Sequence, residues 1–312
     1  MIKILQGNCL DRITELEDNS IDCVVSSPPY YGLRDYGVTG QFGLEKTYQD
    51  YIANTVKVFE TFKPKLKETA TIWWNVGDTY SSTRWSNAPS TTGIQGKQSS
   101  VILKKIIDIP EKSLMMIPNR VAIALQDAGW YIRSEIIWHK PNPMPESVRD
   151  RPTSAHEKIW LITKSKKYYY DADAIREPCT ESTKQRYKSG WNGNEKRDFP
   201  GSQQNNFSKY IGTEKSKEDA LKGRNKRNVW TIITKPFRGA HFATFPKDLI
   251  EPCIKAGCPE GGVVLDPFGG SGTTGIVAKS LNRQAILIEL NKDYINIANK
   301  RIDKELGMFS GS

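Results

Sequence analysis

No stretch of this sequence approaches the roughly 20 consecutive apolar residues that a membrane span needs. The first twenty residues, MIKILQGNCLDRITELEDNS, are acidic and have no basic segment followed by an apolar run. That argues against a secretory leader and gives a cytoplasmic expectation, with no membrane partner. Cysteine is sparse: Cys9, Cys23, Cys179, Cys253 and Cys258 are odd in number, scattered and without a CxxC pair. Such cysteines read as small buried hydrophobes rather than a disulfide framework. Histidine is scarcer still. His139, His156 and His241 are the full complement, and no His/Cys group has metal-ligand spacing, so no metal site is expected. Negative charge is also short, since 45 Lys and Arg face 35 Asp and Glu, for a net charge of +10. A surplus of that size points to a polyanionic partner or to solvated Lys faces.

What is present can build a core. Apolar residues make up 38% of the 312, which excludes global disorder and suits one to two domains. The positive charge is uneven. Residues 176–230 hold 13 Lys and Arg against 7 Asp and Glu, among Asn, Gln, Ser and Gly, with no long apolar period. Trp191, Phe199, Phe207 and Tyr210 interleave with the basic side chains, a composition that suits a nucleic-acid surface or a solvated insertion.

The rest of the chain alternates strand and helix signals. IKILQG, IDCVVSS, ATIWWNVG, WYIRSEIIWHK, HEKIWLITKS, GGVVLDP and AILIEL read as strands. Residues 47–66, 118–129, 246–257, 273–281 and 291 onward read as helices. Residues 81–100 are nearly all polar and read as a long loop. The alternation predicts an α/β fold with a mostly parallel sheet covered on both faces.

Two loops carry chemistry. DPFGGSGTTG, residues 266–275, follows a strand and opens a helix. Its glycines let the backbone approach a ligand, and Gly270, Gly272 and Gly275 satisfy GxGxxG. Glu289 ends the next strand, where a carboxylate can accept from both hydroxyls of a ribose. Glycine loop plus acid fits NAD and S-adenosylmethionine equally. SSPPY, residues 26–30, ends an earlier strand, at the sheet edge where α/β folds bind ligands. Consecutive prolines give a rigid backbone with carbonyls and no N–H groups. A flat ring bearing an NH2 group can stack on Tyr30 and point its two N–H bonds at Ser27 and the Pro28 carbonyl. On this reading only the face of the Tyr30 ring is needed.

Together the loops resemble those of the amino-methyltransferases of DNA in the circular order called the β group, with the catalytic loop first and the cofactor loop near the C-terminus. The resemblance runs through SSPPYYGLRDYG, TIWWNVGD, IIWHKPNPMPESVRDRPTSAHE, HFATFPKDLIEPCIKAGCPEGGVVLDPFGGSGTTG and ILIELN. It implies a doubly wound, mostly parallel, seven-stranded methyltransferase sheet, circularly permuted, with an inserted target-recognition region. Residues 1–170 would be the catalytic half, 171–238 the basic insertion and 239–312 the cofactor-binding half. Ser27, Pro28, Pro29 and Tyr30 would be the catalytic loop. Phe268, Gly270 and Gly272 fall on the family's FxGxG, which wraps S-adenosylmethionine. Thr273 follows it, Asp266 would face the cofactor's amino-acid portion, and Glu289 falls on the ribose-binding acid. Phe245 and Pro246 lie in the segment before the cofactor helix. Where the family usually has Gly-Asp this chain has Gly7-Asn8, followed by Cys9; an Asn carbonyl can still accept from an adenine amino group. Arg186, Lys188, Arg224, Lys226 and Arg227 would contact DNA.

The implied reaction moves a methyl group from S-adenosylmethionine to the exocyclic nitrogen of a flipped base in duplex DNA. In this family Ser before PPY goes mostly with cytosine-N4 and Asp or Asn with adenine-N6, so Ser27 points to cytosine, with adenine the alternative. An NAD-linked oxidoreductase is a distant alternative. Candidate partners beyond DNA are a cognate restriction endonuclease and a second copy of the chain.

Overall fold

A computed structural model describes residues 1–81, 109–188, 222–234 and 245–307. The chain divides into two compact units, Met1–Tyr170 with Asn228–Ser312, and Asp171–Arg227.

The larger unit holds an eight-stranded sheet. In chain order its strands are β1 (Ile2–Gln6), β2 (Ile21–Ser26), β3 (Leu66–Val76), β4 (Tyr131–His139), β5 (His156–Thr163), β6 (Val229–Thr231), β7 (Val263–Asp266) and β8 (Gln284–Glu289). They lie in the order β1-β8-β7-β2-β3-β5-β4-β6. Only β5 runs against the rest. The mostly parallel sheet is as expected, but it has one strand more than the expected seven. The extra strand, β6, is three residues long and pairs with β4, with Trp138 opposite Trp230. Three residues are too few to show a period, which is why the sequence alone leaves them in the basic insertion. That insertion was expected to run to residue 238.

Helices cover both faces. Helix α1 (Cys9–Thr14) packs on α2 (Tyr48–Phe62), and α2 on α3 (Ile117–Asp127). In the other layer α5 (Lys247–Gly257) packs on α6 (Thr273–Ser280), and α6 on α7 (Lys292–Gly307). The pleat of β3 shows the division. Ile72, Trp74 and Val76 join one core with Tyr51, Phe59 and Phe62 of α2 and Ile117 and Val121 of α3. Thr71 and Trp73 point the other way, where Thr71 Oγ1 donates to the Gly257 carbonyl of α5 at 2.9 Å. A strand covered twice needs no polar face, which is why β3 ends in seven buried residues. Helix α2 begins at Thr47, whose hydroxyl accepts from Asp50 N.

The smaller unit contains the short helix α4 (Glu181–Lys188) and an isolated bridge between Glu177 and Arg224. The expected loop at 81–100 lies outside the described residues from 82 onward, as do Trp191, Phe199, Phe207, Tyr210 and His241.

Candidate active site

Strands β1, β8, β7 and β2 end along one edge of the sheet, and a cavity of about 230 Å³ opens there. Asn8, Cys9, Ser27, Pro29, Phe268, Gly270 and Glu289 all line it. The structure thus brings the two chemically distinctive loops, 239 residues apart at Ser27 and Asp266, to a single site. Pro28, Tyr30, Asp266, Gly272, Thr273, Phe245 and Pro246 do not line the cavity.

Each lining residue is held by local structure. Asn8 caps α1: its Oδ1 accepts from Leu10 N at 2.9 Å, which leaves an amide oxygen with a second lone pair. Burial pushes the Cys9 thiol up to about 12, so it lines the wall as a neutral thiol. Glu289 is fixed from both sides, Oε2 accepting from Gly270 N and Oε1 from Asn291 N, each at 2.8 Å. Burial pushes this carboxyl above its usual value. Gly270 has φ +50°, the left-handed region, and a Cβ there would meet open space except for one backbone oxygen at 3.9 Å. Its glycine is required by backbone conformation and keeps the cavity clear.

Asp266 was expected to face the ligand's amino-acid portion. It is instead buried and turned inward. Its Oδ1 accepts from Ser26 Oγ at 2.6 Å and Phe268 N at 3.1 Å, and its Oδ2 from Thr274 Oγ1 at 2.6 Å. The carboxylate braces the end of β2, which leads into the SPPY loop, against the glycine loop. Gly272 also faces inward, where a Cβ would lie 3.1 Å from Ala298 Cβ of α7. Thr273 opens α6, buried, and accepts from Arg301. Phe245 and Pro246 lead into α5, with Pro246 at its N-cap.

The sequence assigns Tyr30 a part for its ring face, against which a base would stack; its hydroxyl has partners as well. Its hydroxyl accepts from Ser27 Oγ at 3.1 Å and lies 2.6 Å from Glu157 Oε2 and 3.1 Å from Asn75 Oδ1. The phenol is therefore tied into a polar chain behind the cavity wall, not held by its ring face alone.

Sequence reading missed the segment that closes the cavity. Tyr36, Val38, Gly40, Gln41, Phe42 and Glu45 line it. Phe42 packs on Phe268 at 5.3 Å, and Tyr36 stands edge-on to Tyr294 at 6.0 Å. The available signal was Gly32, Gly37, Gly40 and Gly43 within thirteen residues of SPPY, the spacing of a tightly folded loop.

The lining chemistry decides between the ligands that a glycine loop plus acid allows. Glu45 and Glu289 are its carboxylates, and no Lys or Arg is among its described lining residues. A dinucleotide's pyrophosphate would face two acids with no cation, whereas a sulfonium compound brings positive charge to them. Aromatic and aliphatic side chains at Phe42, Phe268, Ile288 and Leu290 provide faces for a flat base. The residues fit S-adenosylmethionine.

In the smaller unit, Arg224 Nε and Arg227 Nε both donate to Glu177 Oε2, at 2.8 and 3.1 Å, with more than half of each side chain exposed. Lys226 also has a partner. Arg186 and Lys188 lie on α4, their side chains outside the described set.

A family model described as DNA methylase, of N6 and N4 methyltransferases, matches residues 21–300. Type II methyltransferase M.SmaI of Serratia marcescens is 40% identical over 96% of this chain and 90% of its own. Type II methyltransferase M.Cfr9I of Citrobacter freundii is 41% identical over 97% of this chain and 88% of its own. Among solved structures, the cytosine-N4-specific PvuII DNA methyltransferase shares the fold with a TM-score of 0.64 at 17% identity, covering 99% of this chain and 91% of its own. The two loops that meet at the cavity, and a match across nine-tenths of the chain, make this protein a member of the N6/N4 DNA methyltransferase family.

Proposed function

We propose that this DNA methyltransferase transfers the methyl group of S-adenosylmethionine to the exocyclic N4 of a cytosine flipped out of duplex DNA. The observation that carries the base assignment is Ser27 itself: a hydroxyl, not a carboxylate or amide, stands before PPY at the cavity wall, with its proton given to Tyr30. S-adenosylmethionine, when bound, supplies a methyl group on a positively charged sulfur. Glu289 would accept from the ribose hydroxyls, with Phe268 and Ile288 beside the adenosyl part and Gly270 letting it approach the backbone. Ser27 Oγ, at the cavity wall, accepts one N–H bond of the target amine, and the Pro28 carbonyl, beside the cavity rather than lining it, would turn to accept the other. That draws the nitrogen toward a pyramidal geometry and frees a lone pair otherwise delocalised into the ring. The sulfur would leave with the bonding pair as neutral S-adenosylhomocysteine, and the proton lost by the methylated nitrogen would pass to solvent as product leaves. The remaining work is alignment with water excluded, and no covalent enzyme intermediate is required. The base must leave the stack to reach the pocket, at a cost of a few kcal/mol offset by pocket and phosphate contacts.

The relatives are Type II methyltransferases, which supports a modification role beside a restriction endonuclease. Among the described residues no helix is long and apolar enough to cross a membrane. The basic unit, with Arg224 and Arg227 more than half exposed, would recognise the site and contact phosphates.

Nucleoside mass spectrometry of DNA treated with the protein should show N4-methylcytosine. N6-methyladenine alone would overturn the Ser27 argument and leave the family assignment standing. Ser27→Ala should lower turnover by about ten- to a hundredfold, the value of a buried neutral acceptor of about 1–3 kcal/mol, with DNA and cofactor affinities little changed. A raised KM at unchanged kcat would count against an acceptor that acts as the nitrogen pyramidalises. Deleting residues 180–225 should abolish site-specific methylation while cofactor affinity stays within a few-fold. The intact protein's DNA affinity should fall steeply with salt, because Lys and Arg contacts release counterions. Normal site choice in the deletion, or a flat salt dependence, would refute the recognition role.

A further inference from the structure

Behind the catalytic loop lies a polar layer that the chemistry above does not use. Ser27 Oγ, at the cavity wall, donates to Tyr30 Oη. Tyr30 has one hydroxyl hydrogen and two acceptors in reach, Glu157 Oε2 at 2.6 Å and Asn75 Oδ1 at 3.1 Å. The nearer, charged acceptor takes it. Glu157 faces donors on its other sides: Lys140 Nζ forms an ion pair with Oε1, and Asn75 Nδ2 donates to Oε2 at 3.2 Å. An ion-paired carboxylate accepts only. Both protons of the chain therefore point away from the cavity, from Ser27 to Tyr30 and from Tyr30 to Glu157.

The fold explains the placement. Because β5 runs antiparallel to β3, its first residues arrive at the edge where β2 and β3 end, and Lys158 pairs with Val76. Glu157 is next to that pair and its side chain is 16% exposed. The Tyr30 ring is clamped there, since a Cβ on Gly77 would come 2.6 Å from its Cε2. Burial and then the Glu157 charge push the phenol well above its ordinary pKa, which keeps it protonated as a donor.

We propose that Glu157 is a positioning residue that fixes the polarity of this chain, so that Ser27 meets the flipped base with lone pairs alone, accepting from an exocyclic amine and rejecting a carbonyl oxygen in the same place. This selects an amine-bearing base over its deaminated counterpart at the binding step. The proposal rests on the reading that the target amine reaches Ser27.

Glu157→Gln tests it. Lys140 holds the amide oxygen and turns the NH2 toward Tyr30, so the Tyr30 proton passes to Asn75 Oδ1, a neutral acceptor at 3.1 Å, or to Ser27; the charge that fixed the chain's polarity is gone, and Ser27 is free to donate into the cavity. Duplexes carrying the protein's own site, first mapped from methylated DNA, would be compared with duplexes bearing the deaminated base, uracil for cytosine or hypoxanthine for adenine. Affinities would be read by fluorescence anisotropy with S-adenosylhomocysteine bound. The ratio of the two affinities should shift toward the deaminated base by about tenfold in Glu157→Gln. Tyr30→Phe, which cuts the chain with Glu157 intact, should shift it likewise, and the double variant should add nothing further. A purely structural loss would weaken both duplexes equally and leave the ratio alone. An unchanged ratio in either variant, or additive shifts in the double, overturns the proposal while a methylating wild type keeps the reading beneath it. A wild type that methylates no DNA base overturns both. Should Glu157→Gln fail to fold, Tyr30→Phe alone decides.

Discussion

Gly270→Val should lose at least about a hundredfold in affinity for S-adenosylhomocysteine, roughly 3 kcal/mol, while the protein stays folded. Three local features combine. The φ of +50° is strained for any β-branched residue. A side chain there would enter the cavity, because no side chain lies within 4 Å of its Cβ position. The Gly270 N–H also anchors Glu289 at 2.8 Å, so a shifted backbone would release the acid proposed to hold the ribose. Gly272, two residues on, provides the contrast. Its φ of +81° is equally left-handed, but a Cβ would press on Ala298 and Ile302 of α7. Gly272→Val should therefore reduce stability rather than empty the site selectively. Calorimetric titration of both variants, with near-ultraviolet circular dichroism as the check on folding, separates the two effects. Unchanged affinity in folded Gly270→Val would show that the cofactor does not lie against this turn.

That two glycines of one motif do different work was not legible in the sequence, because the difference lies in what stands opposite each. What was legible depended on contacts near in sequence or on faces covered twice. The run IWWNV reads as a strand because both of its faces are buried. Helix α2 reads as a helix because Tyr51, Val58 and Phe62 fall on one side. Helix α1 is six residues with only Cys9 and Ile13 buried, too short for a period, so Asn8 did not show as its cap. The SPPY and glycine loops were visible because each carries its chemistry within ten residues. Glu157 was not, since its partners Tyr30 and Asn75 lie 127 and 82 residues away and meet it through the antiparallel pairing of β3 and β5. Asp266 showed as an acid at a strand end, but the direction of its carboxylate depends on Ser26 of the neighbouring strand.

Asp266 is where stability and site meet, and two substitutions there should behave differently. Burial, which outweighs the hydrogen bonds from Ser26, Thr274 and Phe268, pushes its carboxyl up to about 6. The unfolded chain ionises near its ordinary value of about 4, so between roughly pH 4 and 6 the unfolded state gives up its proton first. Stability from this group is thus fully present below pH 4 and falls as pH rises, until the folded group ionises as well. Above about pH 6 the loss levels at roughly 3 kcal/mol. Asp266→Asn should erase that slope. Its Oδ1 can still accept from Phe268 N and Ser26 Oγ, and the Thr274 hydroxyl, which sits on the other oxygen, can turn to accept from its NH2. Asp266→Ala also removes the charge, but it leaves Phe268 N and two buried hydroxyls without their acceptor, at about 1–3 kcal/mol for each group left unpaired. At pH 7 the Ala variant should therefore be the less stable of the two, by about 3 kcal/mol. It should also lose turnover, because Ser26 precedes Ser27 and its anchor would be gone. Urea denaturation of the wild type and both variants at pH 4.5, 6 and 7.5 is the measurement. A wild-type slope that persists in Asp266→Asn, or equal stability of the Ala and Asn proteins, would remove Asp266 from the brace between the catalytic and glycine loops.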